Sequence, residues 1–445
     1  MVQYFAGAQP VVVINDAEMA SKDYHRSMKH AWLPVFNSAS LEISSKEMNI
    51  GAERLAATLA KFAKQGKEVN IWRQFGYMTM DVVGTTAFGV ELRTQEGEKG
   101  LNSEEAERLV WAAQSIFATS SVKASIYTQP GAIMPFLDPL MRVLARHFPD
   151  AGLKTAIKAR HILRDTVADL VRETRQREAA GATAAAKITA EPGAAPAAGE
   201  ARKKARGVQP GSFLNLMINS KHESSGRAVT NDEATAQAFT FLLAGYETTA
   251  SALAFTIYTL AKHPEKTEKL IQEIDSIGRS AAIGPAELAR MPYLDACLKE
   301  SMRLYPPGHI TPRQPVTEDF TVKGYIIPKG TWIHMPIFSL QRSEEYYGRP
   351  LEFIPERWVE GAPEETALNR KVPGSWMAFG EGTRSCVGQR FALQEAKITL
   401  ARLFQRFTFK LSPGQEDEAG LQLQSFFTLG PKEGIFVTPV LRTEE

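Results

Sequence analysis

The sequence predicts a mainly α-helical fold with small antiparallel β-sheets, and three observations carry that reading. Apolar residues recur at helical spacing over long runs that stop at prolines, at residues 48–64, 71–86, 104–118, 155–177 and 293–304. Alternating, β-type pieces are short and punctuated by turns: Phe320–Val322, Tyr325–Ile327 and residues 331–334 are separated by Lys323-Gly324 and Pro328-Lys329-Gly330, which reads as one small antiparallel sheet. Nothing in the 445 residues divides them into self-sufficient halves, so one domain over residues 1–445 is expected.

Composition bounds the function. A hydrophobic content of 44% suffices for a sizeable core, and a net charge of +2 gives no case for a nucleic-acid binder. Two cysteines, Cys297 and Cys386, exclude a disulfide scaffold and fit a reducing compartment. The first residues show neither a basic-then-apolar leader nor an anchor. Residues 234–261 are apolar enough to mislead a hydropathy scan, but Gly245-Tyr246-Glu247-Thr248-Thr249 sets a polar cluster at their midpoint, which favours a buried helix over a membrane span.

Taken in order, residues 2–5, a turn at Gly7 and residues 11–14 read as a hairpin, with a short helix from Asp16. His25 and Lys29 lie four apart on the next helical stretch and make a small basic face. Pro130, Pro135 and Pro139 mark breaks further on. Residues 178–211 change composition to Ala, Gly and Pro followed by Arg202-Lys203-Lys204-Ala205-Arg206; too few large apolar groups remain to fold, so a disordered insertion is expected there. Its basic run reads as a solvated face, with peripheral membrane contact as the other reading.

Thr230 and Glu233 form a capping box that starts a long helix ending near Ala261. Glu247, Thr248 and Thr249 sit inside that apolar helix, where a carboxylate and hydroxyls are costly unless bonded to something. The helix over 293–304, stopped by Pro306-Pro307, carries Glu300 and Arg303 on one face. Cys297, a turn before Glu300, reads as core. The last helix is expected over 389–407, and residues 421–428 with 435–439 as a terminal hairpin tipped by Phe426-Phe427.

The most telling stretch is Phe379-Gly380-Glu381-Gly382-Thr383-Arg384-Ser385-Cys386-Val387-Gly388. Glycines at 380, 382 and 388 permit positive φ and close approach to a flat ligand, and the helix that follows places its N-terminus beside one sulfur, favouring thiolate. A lone cysteine is by default a small buried hydrophobe. This decapeptide, however, resembles the haem-binding loop of the cytochromes P450 at every position of the pattern Phe-x-x-Gly-x-Arg-x-Cys-x-Gly.

The resemblance implies the cytochrome P450 fold and haem b, with Cys386 as the axial thiolate on the iron, Phe379 packed near the sulfur, Arg384 on a propionate, and Gly380 and Gly388 shaping the loop. Ala244-Gly245-Tyr246-Glu247-Thr248-Thr249 resembles the family's oxygen-activation signature: Ala244 and Gly245 admit dioxygen, Glu247 passes protons inward, and Thr248 holds the oxygen under activation. Arg313, and His25 with Lys29, stand where relatives place further propionate ligands; His309 stands where they line the substrate cavity. Glu300, Arg303 and Arg357 match a buried structural network. The family's usual helix and long loop between the opening hairpin and the helix bearing His25 are missing around residues 20–23.

The activity so implied is monooxygenation of a lipophilic substrate with O2 and electrons from an NADPH-dependent flavoprotein reductase, in the style of the eukaryotic microsomal members on the cytosolic face of the endoplasmic reticulum. One rival is a haem-thiolate isomerase or dehydratase needing no reductant. The other is a non-catalytic, truncated haem-binding protein.

Overall fold

The computed structural model describes residues 36–95, 103–119, 125–127, 137–190, 212–221, 226–279, 281–313, 317–322, 324–331, 333–369, 372–415, 421–425 and 428–442. The opening hairpin, the helix from Asp16, His25, Lys29, the short junction at 20–23 and Phe426-Phe427 lie outside them. In chain order the described elements are α1 (Ser38–Gln65), β1 (Val69–Asn70), α2 (Ile71–Phe88), α3 (Ser103–Ala118), α4 (Asp138–His147), α5 (Ala151–Ala190), α6 (Phe213–Ile218) and α7 (Asn231–Lys262). There follow α8 (Pro264–Asp275), α9 (Pro285–Leu288), α10 (Pro292–Leu304), β2 (Thr311–Arg313), β3 (Phe320–Val322), β4 (Tyr325–Ile327), β5 (Ile333–Met335), α11 (Ile337–Leu340) and α12 (Pro363–Leu368). The chain closes with α13 (Gln389–Phe404), β6 (Phe407–Leu411), β7 (Leu423–Ser425), β8 (Leu429–Pro431) and β9 (Phe436–Leu441). The packing divides into two compact units, 1–47 with 77–246 and 48–76 with 247–445.

In the first unit, Met80, Val83, Phe88, Leu109, Leu163, Val167, Leu214, Leu242 and Tyr246 share one apolar core. The capping box at the start of α7 is formed: Glu233 N donates to Thr230 Oγ1 (3.2 Å) and Thr230 N to Glu233 Oε2 (2.8 Å). Arg227 forks onto the same carboxylate (3.0 and 2.8 Å), so the buried acid is neutralised as well as used. Pro139 stands in the first turn of α4, so the break it marks is the start of a helix, where its missing N–H costs nothing.

The expected disordered insertion needs correction over its first third. α5 continues through residues 178–190, because extending an existing helix through an alanine-rich segment adds a hydrogen bond per residue without a second nucleation. Residues 191–211 lie outside the described part.

The second unit holds the strands. β6 pairs antiparallel with β9, and β9 with β1, in a three-stranded sheet; β2 pairs with β5, β3 with β4, and β7 with β8. Two expected pairings are therefore wrong. The strand following Pro328-Lys329-Gly330 leaves the β3–β4 hairpin and joins β2, and the C-terminal strand joins β6 rather than residues 421–425. In both cases a longer-range partner offers a full antiparallel ladder, five register pairs for β6 with β9.

Candidate functional site

The Cys386 loop is shaped by its own backbone. Gly380 and Gly382 take φ +70° and +75°, which a side chain would strain, whereas Gly388 sits at φ −86° as the cap of α13; the expectation of three left-handed glycines holds for two. Cys386 N donates to Phe379 O (2.8 Å) and Gly380 N to Met377 O (2.8 Å), folding the chain back under the cysteine three residues before α13. The side chain of Cys386 is exposed. Cys297 is the opposite case: it is fully buried on α10, and desolvation pushes its thiol well above the ordinary range, aided by Glu273 and Glu356. One cysteine can meet a ligand and the other is a core residue.

Behind the loop lies a fully buried polar network. Glu300 Oε1 accepts from Arg303 Nη2 (2.9 Å), Arg357 Nε (2.9 Å) and Ile354 N (3.0 Å); Oε2 accepts from Arg303 Nε (2.9 Å) and Trp358 Nε1 (2.8 Å). The remaining guanidinium donors go to carbonyls: Arg303 to Gln341, Pro350 and Glu352, Arg357 to Gly348, Leu368 and Arg349. Burial depresses the pKa of Arg357, which Glu300 opposes.

Gln341, which sequence reasoning missed, joins this network to the loop. Its Nε2 donates to the carbonyls of Met302 (3.0 Å) and Arg303 (3.1 Å) at the end of α10, while its Oε1 accepts from Met377 N (2.7 Å), two residues before Phe379. Trp358 and Trp376, also missed, complete a row of rings: Tyr347–Trp358 at 6.3 Å, Trp358–Trp376 at 6.1 Å and Trp376–Phe379 at 6.1 Å. The invisible signal was tertiary, since the partners of Gln341 lie 36–39 residues away.

Arg384 and Arg313 make no ion pair with a carboxylate among the described residues. Burial, and then the positive charge of Arg313, lowers the pKa of Arg384, so two guanidiniums share a neighbourhood and call for an anion. An exposed sulfur on a helix-terminal loop beside two unneutralised guanidiniums fits an iron porphyrin, which brings both a metal and carboxylates.

On α7, Glu247 is 6% exposed and makes no side-chain hydrogen bond among the described residues. Desolvation alone raises its pKa to about 7. A Cβ placed on Gly430 of β8 would lie 3.8 Å from Glu247 Oε1, so that hairpin abuts the carboxyl. The same hairpin reaches the far side: Leu429 N donates to Pro307 O (2.9 Å), and Ser425 Oγ meets His309 Nε2 at 2.6 Å. The segment of His309 in turn runs beside the cysteine loop, since a Cβ on Gly308 would stand 3.7 Å from Ala378 O. A turn earlier on α7, Ala244 is exposed, whereas Gly245 has a packing reason of its own: a Cβ there would lie 2.8 Å from Val83 Cγ2.

A family model described as Cytochrome P450 matches residues 15–437. The chain is 30% identical over 441 residues to cytochrome P450 3A9 of Rattus norvegicus, covering 98% of this chain and 77% of that protein. Cytochrome P450 3A14 of Cavia porcellus is 31% identical with the same coverage. A solved cytochrome P450 structure, CYP102L1, superposes with a TM-score of 0.68 at 19% identity, covering 95% of this chain and 80% of its own, a likeness of fold. Sequence and fold thus define a haem b protein and an oxidoreductase that incorporates molecular oxygen. The chain belongs to the cytochrome P450 family.

Proposed function

We propose that the whole chain acts as one haem domain, a monooxygenase that takes two electrons from an NADPH-dependent flavoprotein reductase. One atom of O2 enters a C–H or C=C bond of a lipophilic substrate. The observation that carries this reading is the pairing, within one unit, of an exposed Cys386 at the N-terminus of α13 with a desolvated acid, Glu247, on α7. By family resemblance the enzyme works on the cytosolic face of the endoplasmic reticulum; among the described residues no helix is long and apolar enough to cross a membrane.

When bound, the haem supplies O2 activation and electron storage, chemistry that side chains lack. The protein's residues do the rest. Cys386, exposed on the loop that leads into α13, would supply the thiolate. Phe379 and Gly380 shape the loop at the sulfur and Gly388 starts the helix. Arg384 and Arg313 would neutralise the propionates; His25 and Lys29, given the same role by the family resemblance, lie outside the described residues. Glu300, Arg303 and Arg357 hold the wall behind the loop rigid. On α7, by resemblance, Ala244 and Gly245 would leave room for a diatomic gas, Thr248 would offer a hydroxyl, and Glu247, whose pKa burial raises to about 7, would carry protons inward at working pH.

Reconstitution with the reductase tests this. Substrate-dependent NADPH oxidation is expected, and the ferrous carbonyl complex should show the thiolate-type band. Cys386→Ala should abolish that band, and Thr248→Ala should keep it while diverting electrons to peroxide. Turnover without any reductant would replace this reading with an isomerase, and a full band in Cys386→Ala would remove the ligand assignment.

A further inference from the structure

Two threonines of α2 turn their hydroxyls back onto carbonyls of their own helix: Thr85 Oγ1 donates to Asp81 O (3.1 Å) and Thr86 Oγ1 to Val82 O (2.5 Å). Thr79 reaches another helix. It is fully buried, and its Oγ1 donates to the carbonyl of Tyr246 on α7 (3.0 Å), 167 residues away in the chain. One turn along the same face of α2, Val83 closes on the neighbouring residue, since a Cβ on Gly245 would lie 2.8 Å from Val83 Cγ2. Positions 79 and 83 therefore grip α7 at two successive residues, and Tyr246 is itself buried in the apolar core that includes Val83.

The gripped residues stand immediately before Glu247 and Thr248. A peptide unit is planar from one Cα to the next, so the oxygen held by Thr79 lies in the same rigid plate as the nitrogen and Cα of Glu247. A carbonyl has two lone pairs and can accept from Thr79 while keeping its helical bond to residue 250. The added bond comes from the side, so it fixes the rotation of α7 about its own axis, which bonds running along the axis do not. Glu247 makes no side-chain hydrogen bond among the described residues, so the direction of its carboxyl is inherited from the backbone that carries it.

We propose that Thr79 is a positioning residue: with Val83 seated on Gly245, its bond to the Tyr246 carbonyl sets the rotation of the Glu247–Thr248 turn. Thr79 itself transfers neither proton nor electron. The inference rests on Glu247 and Thr248 serving oxygen activation, and the experiment separates the two ideas.

Thr79→Val keeps the shape and removes the donor, whereas Thr79→Ser keeps the donor. Three readouts are taken on the haem-loaded protein: amide hydrogen exchange by peptide mass spectrometry, the C–O stretching band of the ferrous carbonyl complex, and peroxide released per NADPH oxidised. In Thr79→Val, exchange over residues 247–251 should quicken about fivefold, the worth of one hydrogen bond, with residues 391–404 of α13 unchanged. The C–O band, which reports the polar groups around the bound gas, should broaden, and the peroxide ratio should rise with substrate affinity unchanged. Thr79→Ser should match wild type in all three. Val83→Ala, which frees Gly245 and leaves the hydroxyl in place, should quicken the same peptides, and it serves where Thr79→Val does not fold. Exchange and band unchanged in Thr79→Val and Val83→Ala overturn the proposal. So does equal quickening over 391–404, which marks a general loss of stability. If exchange and band change as stated but Glu247→Gln and Thr248→Ala release no more peroxide than wild type, Thr79 still sets the turn and the oxygen-activation roles fall.

Discussion

Replacing Glu300 by glutamine is the sharpest test of what holds the cysteine loop. The substitution keeps the shape and removes one negative charge that two fully buried guanidiniums share. It also turns an acceptor into a donor. Oε1 receives three hydrogen bonds and Oε2 two, so the amide nitrogen is less costly at the Oε2 position, where it would face Arg303 Nε and Trp358 Nε1, both donors. Breaking a buried ion pair costs about 3–5 kcal/mol. Two opposed donors add to that, so about 5 kcal/mol is expected, a third or more of the usual 5–15 kcal/mol of a folded domain.

In urea, with a slope of about 3 kcal/mol per molar, the midpoint followed by circular dichroism should fall by roughly 1.5 M. Glu352→Gln is the matched control, because its ion pair with Arg349 is exposed and screened by solvent, so its loss should leave the midpoint nearly unmoved. If Glu300→Gln unfolds at the same urea concentration as Glu352→Gln, the network is not what holds this region.

Other outcomes follow from burial and backbone geometry. Glu395 on α13 is fully buried, neither carboxyl oxygen has a partner among the described residues, and desolvation raises its pKa well above the ordinary value. A raised folded pKa means stability is lost as pH climbs past the unfolded value, so Glu395→Met should stabilise by about 1–3 kcal/mol, more at pH 8 than at pH 5 in urea melts. A destabilised Glu395→Met at pH 8 contradicts this. For Glu247, the rise from 4.5 to about 7 corresponds to roughly 3 kcal/mol. That stability is present below pH 4.5 and gone above pH 7, so Glu247→Gln should gain on wild type by about that amount between pH 5 and pH 9; parallel stability curves would refute it. Gly434→Ala should cost about 1–3 kcal/mol by denaturant titration, because φ is +104° and the new Cβ would collide with the Asn70 side chain. An unchanged midpoint would show that the turn relaxes freely.

How much of this could be read beforehand depends on how far apart the interacting groups lie in the chain. The loop at Cys386 and the capping box at Thr230 and Glu233 announce themselves because their parts are within ten residues. Glu300 and Arg357 are 57 residues apart, and only the family resemblance joined them. Gln341, Trp358 and Trp376 gave no signal: their partners are mainly carbonyls and ring faces that the fold brings up from elsewhere. The same distance explains the strand errors, since β6 and β9 look like any short alternating segments until paired. The helix over 178–190 was hidden differently, by a composition that reads as unstructured alone and as helix once α5 has begun.

The amide of Gln341 spans two tasks, closing the end of α10 and anchoring the strand of chain that leads to the sulfur. A screen for colourless colonies would therefore recover lesions at positions such as 341, 350 or 357 as readily as at 386. Such a map would trace an internal truss rather than a binding pocket, and anyone engineering new selectivity into this scaffold should leave those members untouched.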